Sequence, residues 1–383
     1  MFNPDNGIEE IDFSGVRKPL SQAETLPPAC YTSEDFFNLE KDKIFHKKWN
    51  FVCREDELPA IGDYASYILF GEPIFIVRGQ DGILRCFANT CSHRGARLVC
   101  DAGNRNRISC PYHSWTYSLD GALVGAPDME QTKFFDKSEH GLTQIRLEGW
   151  EGFNFVNFDD DAEPLTTSLG DLPEELRSYN FSNMACVRRK TYRLDCNWKI
   201  YIENAMEDYH TGTVHKSTIK KQETTLLDTN GDWDAIHMPG NKTIAVLGGE
   251  EKVFPHIPTL EGRAAKGTYF VVLYPNTFFA ITFDCMWWIQ AVPKTAGSCE
   301  IIIGSCFPKE TVSLPDFDQI VNAYYRRWDK ALPEDNEISE EQQIGLSSKF
   351  SRTGRFSWRE PVVHLMDNWI LDMIMGSSSD NQT

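Results

Sequence analysis

The sequence predicts an α+β protein with two domains of different architecture, and three observations support this prediction. A length of 383 residues suggests about two domains of about 100–200 residues each. Between Phe51 and Phe158, short apolar runs are broken by Gly, Asp and Pro, a pattern typical of a small antiparallel β domain. Further along the chain, several strand-like runs precede a long helical pattern, and this order indicates an antiparallel sheet wrapped on a helix.

The first part of the chain combines a helix with the β domain. Apolar residues at helical spacing predict a helix over 33–49. The runs that predict strands of the β domain are 67–70, 73–77, 84–87 and 152–158. The acidic stretch 159–164 is a natural domain boundary. We therefore expect a helical segment at 1–45 that packs on the second domain, a β domain at 46–158, and the second domain at 159–383.

The second domain is predicted to be mixed. Its expected helices cover 198–214, 314–331 and 357–375. Its expected strands are 243–247, 268–274, 277–282, 286–292 and 300–306. Because the strands follow one another before the next helix, we expect them to pair antiparallel in one sheet.

The charge balance excludes some classes of partner. The chain has 38 Lys and Arg against 56 Asp and Glu, for a formal charge of −18. Such a surface should repel nucleic acid and anionic lipid, so we expect neither as a partner. The sequence shows no membrane-spanning run of ~18–20 apolar residues and no signal peptide. Eleven scattered cysteines then indicate reduced thiols and metal ligands, which predicts a cytoplasmic protein.

Two Cys/His pairs form the densest chemical signal. Cys91 and His93 are followed, after sixteen intervening residues, by Cys110 and His113. In a Rieske [2Fe–2S] centre two thiolates hold one iron and two imidazoles hold the other, which matches this ligand set. Zinc is an alternative, since Cys₂His₂ also binds zinc, although zinc fingers keep like ligands together. A core without metal is the third interpretation.

A second candidate metal site includes His210 and His215. They are five residues apart, so an unbroken helix would splay them by about 140°, but Gly212 between them allows the helix to loosen. Two histidines and one carboxylate can bind Fe(II) and leave positions open for O₂ and substrate. Glu207 lies three residues before His210, on the same helical face, whereas Asp208 should point to the opposite side.

The motifs resemble those of a known family. The run Cys91-Ser-His-Arg-Gly together with Cys110-Pro-Tyr-His-Ser-Trp-Thr-Tyr-Ser-Leu-Asp-Gly is similar to the Rieske domain of ring-hydroxylating and related non-heme iron oxygenases. Respiratory Rieske proteins have a further cysteine in each loop, where this chain has Arg94 and Tyr112, so their disulfide cannot form. Ser114 replaces the glycine that most of the family has, and its Cβ would crowd the loop behind His113.

The resemblance covers nearly the whole chain and implies the oxygenase (alpha) component, with a Rieske β domain and a helix-grip catalytic domain. It implies a [2Fe–2S] cluster held by Cys91, His93, Cys110 and His113, and a mononuclear Fe(II) held by His210, His215 and Asp335. Five carboxylates lie between Glu334 and Glu341. The family pattern Glu-Asp-x₇-Gln-x-Gly-Leu selects Asp335 among them.

The resemblance also implies a role for Glu207. In the family, the carboxylate at this position bridges the iron-ligating histidine and the Rieske histidine of a neighbouring subunit, which implies a ring-shaped homotrimer. Most aromatic-ring dioxygenases have Asp there, whereas members that act on quaternary ammonium compounds such as carnitine or choline tend to have Glu.

The expected activity needs partners outside the chain. The sequence has no Gly-x-Gly-x-x-Gly fingerprint, so two electrons should come from a separate NAD(P)H-dependent reductase of the flavin or ferredoxin type. With O₂, we expect monooxygenation or N-demethylation of a quaternary ammonium or other amine substrate. Ring hydroxylation of an aromatic acid is one alternative, and a Rieske electron-transfer protein without catalysis is another. One ring of Trp287-Trp288 either lines the pocket, where it would bind a cationic head, or packs in the core.

Overall fold

The fold is given by a computed structural model that describes residues 11–219, 221–250 and 252–376. These residues form two compact units, one of residues 48–165 and one of the chain on either side of it. Residues 1–10 of the predicted N-terminal segment lie outside the described part. The predicted α+β class is confirmed, because each unit contains an antiparallel sheet and the second also contains long helices. Among the described residues, no helix is long and apolar enough to cross a membrane.

The smaller unit is built from short strands. They are β1 (Asn50–Arg54), β2 (Asp63–Leu69), β3 (Glu72–Arg78), β4 (Leu84–Ala88), β5 (Ala102–Asn104), β6 (Ile108–Ser109), β7 (Thr116–Tyr117), β8 (Leu123–Gly125), β9 (Gln144–Trp150) and β10 (Phe153–Asn157). A seven-stranded sheet has the order β1-β10-β9-β4-β3-β2-β5, and β6-β7-β8 form a second sheet. The two loops with Cys and His follow β4 and β6, so each is anchored by a strand.

The larger unit holds the helices and one seven-stranded sheet. The helices are α1 (Ala29–Thr32), α2 (Glu34–Glu40) with a π-helical turn at Lys41–Phe45, α3 (Leu165–Leu169), α4 (Leu172–Leu176), α5 (Trp198–Ala205), α6 (Lys309–Val312), α7 (Phe317–Leu346) and α8 (Pro361–Met375). The strands are β11 (Met184–Leu194), β12 (Thr225–Leu226), β13 (Trp233–Pro239), β14 (Gly267–Leu273), β15 (Thr277–Ile281), β16 (Met286–Thr295) and β17 (Ser298–Pro308).

The sheet of the larger unit has the order β11-β17-β16-β15-β14-β13-β12, with every pair antiparallel. Strands β14 and β15 are buried along their whole length, so both faces of this part of the sheet are covered. Helix α7 packs against the sheet through aromatic rings. The ring centroids of Tyr324 and Phe307 on β17 are 5.3 Å apart, and those of Trp328 and Trp287 on β16 are 5.6 Å apart.

Several predicted element limits were wrong. The helix expected over 198–214 ends at Ala205, and the chain then turns. The segment 243–247 is not a strand, and β13 provides the neighbour of β14 instead. The helix expected to end at residue 331 continues through Pro333 to Leu346, because burial of one face stabilises it against the lost hydrogen bond.

Candidate metal centres and active site

The two predicted cluster loops are held by backbone hydrogen bonds around each cysteine. The Cys91 N–H donates to Ala96 O at 2.9 Å, and the Gly95 N–H donates to Cys91 O at 2.8 Å. The Cys110 N–H donates to Trp115 O at 2.8 Å in the second loop. Both thiols are buried, and the Cys91 sulfur lies 3.2 Å from the Tyr117 hydroxyl. Each loop therefore presents its thiol from a fixed backbone.

The two histidines of these loops face one another. The ring centroids of His93 and His113 are 4.7 Å apart, and His93 stacks on Trp115, also at 4.7 Å. His93 Nδ1 is buried without a hydrogen-bond partner in the described residues. Desolvation, His113 and Arg94 together lower the pKa of His93, which favours the neutral imidazole that binds metals. An imidazole nitrogen without a hydrogen-bond partner, on a loop whose cysteine is buried, suits a ligand of a Rieske cluster.

Three residues singled out in the sequence have a clear structural role here. The Arg94 guanidinium lies 5.2 Å from the centre of the Tyr112 ring, so a cation–π contact joins the loops where respiratory proteins have a disulfide. Ser114 has φ +57°, in the left-handed region that glycine adopts without strain. The departure from the family glycine therefore costs backbone strain, and the Ser114 N–H still donates to Cys110 O.

The second site is placed by a turn after α5. The Asn197 side chain caps this helix by accepting from the Lys199 N–H at 3.0 Å. After Ala205 the chain leaves the helix, and the N–H groups of Thr213 and Val214 both donate to His210 O at 2.9 Å. This turn, rather than a continued helix, brings His210 and His215 together.

Asp335 joins the two histidines, although it lies about 120 residues further along the chain. Side-chain ligand atoms of His210, His215 and Asp335 lie within 4.8 Å of one another, and no other such group of three occurs among the described residues. His215 Nε2 is 2.9 Å from Asp335 Oδ1, and His210 Nε2 is 3.7 Å from it. Asp335 Oδ1 is nevertheless buried without a well-oriented hydrogen bond. The three ligand atoms are therefore close enough together to hold one metal ion.

Carboxylates orient both imidazoles from their other ring nitrogen. His210 Nδ1 donates to Glu207 Oε1 at 2.5 Å, and His215 Nδ1 donates to Glu334 Oε2 at 2.7 Å. With Nδ1–H donating to a carboxylate, Nε2 of each neutral imidazole is the nitrogen available to a metal ion. Burial lowers the pKa of His215, but Asp335 and Glu334 outweigh burial and raise it overall. Glu334 was not predicted to be a site residue. The sequence signal for its role is its position directly before Asp335.

Asp208 has a structural role that its position in the sequence did not reveal. Its carboxylate is 2.6 Å from Arg359 Nη2 and 2.7 Å from Arg359 Nε, and it accepts from the Thr224 N–H at 2.8 Å and the Thr224 hydroxyl at 2.9 Å. The side chain is only 5% exposed. Asp208 therefore anchors the start of α8 and the segment before β12 to the turn of His210.

A pocket lies directly against the His210–His215–Asp335 group. Aromatic rings of Phe270, Phe278 and Trp287 form part of its wall. Trp287 lines the pocket while Trp288 is fully buried behind it, as alternation on a strand requires. The Trp287 ring does not present that face to a ligand, because the Arg327 guanidinium lies 4.8 Å from its centre.

Zinc is the other metal that the sequence left open for the first site. One zinc ion would gather the ligand atoms of Cys91, His93, Cys110 and His113 closely around a single point. Within the described chain these four do not form such a group. A [2Fe–2S] cluster instead holds the thiolates on one iron and the imidazoles on the other, and this arrangement does not need all four ligand atoms around one point.

Comparison with known families agrees with both centres. The family profile described as "Rieske [2Fe-2S] domain" matches residues 48–136. The profile described as "Ring hydroxylating alpha subunit (catalytic domain)" matches residues 181–376, which is more than half of the chain. These matches place the Cys/His loops in the first domain and the two histidines with Asp335 in the second.

The similarity to individual relatives extends over most of the chain. It is 31% identical over 338 residues to the carnitine monooxygenase oxygenase subunit of Acinetobacter baumannii, covering 85% of this chain and 86% of that protein. It is 36% identical over 389 residues to the glycine betaine monooxygenase oxygenase subunit of Chromohalobacter salexigens, and this match covers 92% of this chain and 86% of that protein. The solved structure of the quaternary ammonium Rieske monooxygenase CntA with its substrate γ-butyrobetaine is 26% identical, with a TM-score of 0.80 over 96% of this chain and 99% of that chain.

The electron-transfer alternative is therefore wrong, because the chain contains the catalytic domain as well as the Rieske domain. The chain belongs to the Rieske oxygenases, as an alpha subunit and an O₂-using oxidoreductase related to the carnitine and glycine betaine monooxygenases.

Proposed function

We propose that this oxygenase oxidises a small quaternary ammonium compound, as a monooxygenase that inserts one oxygen atom next to the ammonium nitrogen. The observation that carries the proposal is the pocket at the His210–His215–Asp335 group. Its wall includes the rings of Phe270 and Phe278, whose faces attract an onium group. The carnitine and glycine betaine monooxygenase relatives support the same substrate class.

Two iron centres would supply the redox chemistry. Cys91, His93, Cys110 and His113 would hold the [2Fe–2S] cluster, and His210, His215 and Asp335 would hold Fe(II). When bound, the cluster transfers single electrons, and the mononuclear iron activates O₂. The protein side chains do the rest: Glu207 and Glu334 fix the imidazoles, and the aromatic walls exclude water from the substrate.

For an N-methyl substrate the balance is simple. One oxygen atom of O₂ enters a methyl C–H bond, and two electrons and two protons reduce the other atom to water. The N-hydroxymethyl group then breaks its C–N bond and leaves as formaldehyde, the nitrogen keeps the electron pair as a tertiary amine, and one proton is released. We propose that a separate NAD(P)H-dependent reductase supplies the electrons and that the protein is cytoplasmic.

Assembly follows from the proposed role of Glu207. Its carboxylate accepts from His210 Nδ1 and from the N–H groups of Tyr209 and His210, and it retains lone pairs for a further donor. We propose that the donor is His113 of a neighbouring subunit, which requires a heterologous interface that closes into a homotrimer. Sedimentation analysis should show a trimer, and coupled turnover by a dilute monomer would contradict this.

Ring hydroxylation of an aromatic acid is the second candidate, since Phe270 and Phe278 would also stack on a flat substrate. The test is product analysis with a surrogate reductase. Trimethylammonium substrates should yield formaldehyde or a cleaved amine in step with O₂ and NAD(P)H use. Ring-hydroxylated products from benzoate, with no turnover of any trimethylammonium compound, would replace the first proposal by the second.

A further inference from the structure

We propose that Arg327 binds a carboxylate of the substrate, and that the substrate is therefore a zwitterionic betaine rather than a simple onium alcohol such as choline. This inference rests on the proposed function, because it concerns the same pocket. It adds the second charged group that the substrate must carry and the residue that recognises it.

Arg327 is a buried cation with unused donors. It lies on α7, is 5% exposed, and lines the pocket of the His210–His215–Asp335 group. Its Nε donates to Ile244 O at 3.1 Å. Its two terminal nitrogens have no acceptor among the residues that the structure describes. A guanidinium is planar and matches a carboxylate with two parallel hydrogen bonds, so these nitrogens form a ready site for that group.

The guanidinium is also held in place and remains charged. It lies 4.8 Å from the centre of the Trp287 ring, which fixes its plane at the pocket wall. Burial lowers the pKa of Arg327 to about 10, so the side chain is still a cation at neutral pH. A buried and unpaired cation is costly in a folded protein, and an anionic ligand would offset that cost.

The acids near Arg327 are engaged elsewhere. Asp335 and Glu334 act on it through their charge, but Asp335 faces the two histidines and Glu334 accepts from His215 and Thr218. Neither forms an ion pair with Arg327 in the described residues. The other arginine of this region, Arg359, is already paired with Asp208.

The pocket therefore offers both signs of charge. Among the described residues of its lining, Arg327 is the one permanent cation, whereas Glu207, Asp208 and Asp335 are acids. Carnitine, γ-butyrobetaine and glycine betaine carry a trimethylammonium group and a carboxylate, whereas choline has no carboxylate. A chain with a net charge of −18 also repels a zwitterion less than a simple anion.

The test compares two ligands that differ only in the carboxylate. γ-Butyrobetaine and its methyl ester are titrated into the oxidised holoenzyme by calorimetry, without reductase, so that no turnover occurs. In Arg327→Gln the Kd for γ-butyrobetaine should rise about 10–100-fold, as expected for lost charge-assisted hydrogen bonds, while the Kd for the ester stays unchanged. Arg327→Lys should give an intermediate loss, because it keeps the charge without the planar fork.

The matched control is Arg326→Gln. Arg326 is the next residue on α7, but its side chain is 53% exposed and pairs with Glu250 outside the pocket. The Arg326→Gln variant should bind γ-butyrobetaine and its methyl ester with the wild-type Kd values. Because a poorly folded variant loses both ligands, the ratio of the two Kd values within each variant is the decisive quantity.

The outcomes are distinct. If wild type binds acid and ester equally, or if Arg327→Gln weakens both alike, the inference is overturned and the proposed function stands. If wild type binds neither of these ligands nor choline, the proposed function fails and the inference fails with it. A ratio that changes only in the Arg327 variants supports the inference.

Discussion

Replacing Glu207 by Gln separates two roles of this carboxylate. Glu207 Oε1 accepts from His210 Nδ1, while Oε2 accepts from two backbone N–H groups. Gln has one acceptor oxygen, so it can serve only one of these two sets of donors. If the amide oxygen stays on His210, the imidazole keeps the tautomer that leaves Nε2 for iron. We therefore expect iron to bind, with an affinity weakened about 10–100-fold by the altered support.

Electron delivery should change more than iron binding does. If Glu207 also links His210 to the Rieske centre of a neighbour, Gln removes the charge from that link and weakens its hydrogen bonds. We expect re-oxidation of the reduced cluster to slow by more than about 100-fold per bound iron, which corresponds to a rise in the barrier of about 3 kcal/mol. The measurement is a single-turnover reaction with substrate and O₂, followed by cluster absorbance, with iron content determined for each sample.

The matched control is the adjacent acid, in Asp208→Asn. This change removes the charge from a buried pair with Arg359 and should cost about 2–4 kcal/mol of unfolding free energy. The melting temperature should fall by about 5–10 °C, while the folded fraction re-oxidises its cluster at the wild-type rate. If Glu207→Gln re-oxidises its cluster at the wild-type rate and Asp208→Asn does not, the two acids have been assigned the wrong roles.

Three further predictions concern the metals, the loop and the buried acids. Cys91→Ala should bleach the cluster but leave the mononuclear site able to bind iron. Asp335→Ala should keep the cluster spectrum and lower the iron content from about three to about two per chain. Zinc without inorganic sulfide in the wild-type protein would refute both expectations. Ser114→Gly should raise the free energy of unfolding of the small unit by about 1 kcal/mol by removing left-handed strain, and an unchanged value in denaturant titration would show that no strain is stored there. Burial raises the pKa of Glu203 to about 7 and also raises the pKa of the neighbouring Asp367, so the folded protein holds protons that the unfolded chain releases. The contribution of this pair to the free energy of unfolding is complete below the ordinary carboxyl pKa and is lost as pH rises toward about 7. Asp367→Asn should therefore reduce the fall in melting temperature between about pH 5 and about pH 8. A fall as large as in the wild type would refute this.

The sequence alone determined the features that depend on short segments. Cys91 with His93 and Cys110 with His113 are each close along the chain, so two loops suffice to present the ligand set. His210 and His215 lie close along the chain, so leaving the helix suffices to bring them together, but the helix ends at Ala205 and not at Gly212 as predicted. The antiparallel class also followed from local patterns, because strand runs broken by turn residues leave few other architectures.

Tertiary structure decided whatever joins distant parts of the chain. The choice of Asp335 among five acids was made by family pattern and not by physics, since only the packing of α7 against α5 brings one of them to the histidines. The roles of Glu334 and Asp208 depend on contacts across more than about a hundred residues, except for the link from Asp208 to Thr224, and Arg327 contacts Ile244 across 83 residues. The limits of α5 and α7 were wrong for the same reason. Burial of one helix face stabilised α7 through Pro333, and no local propensity reports how much of a face will be buried.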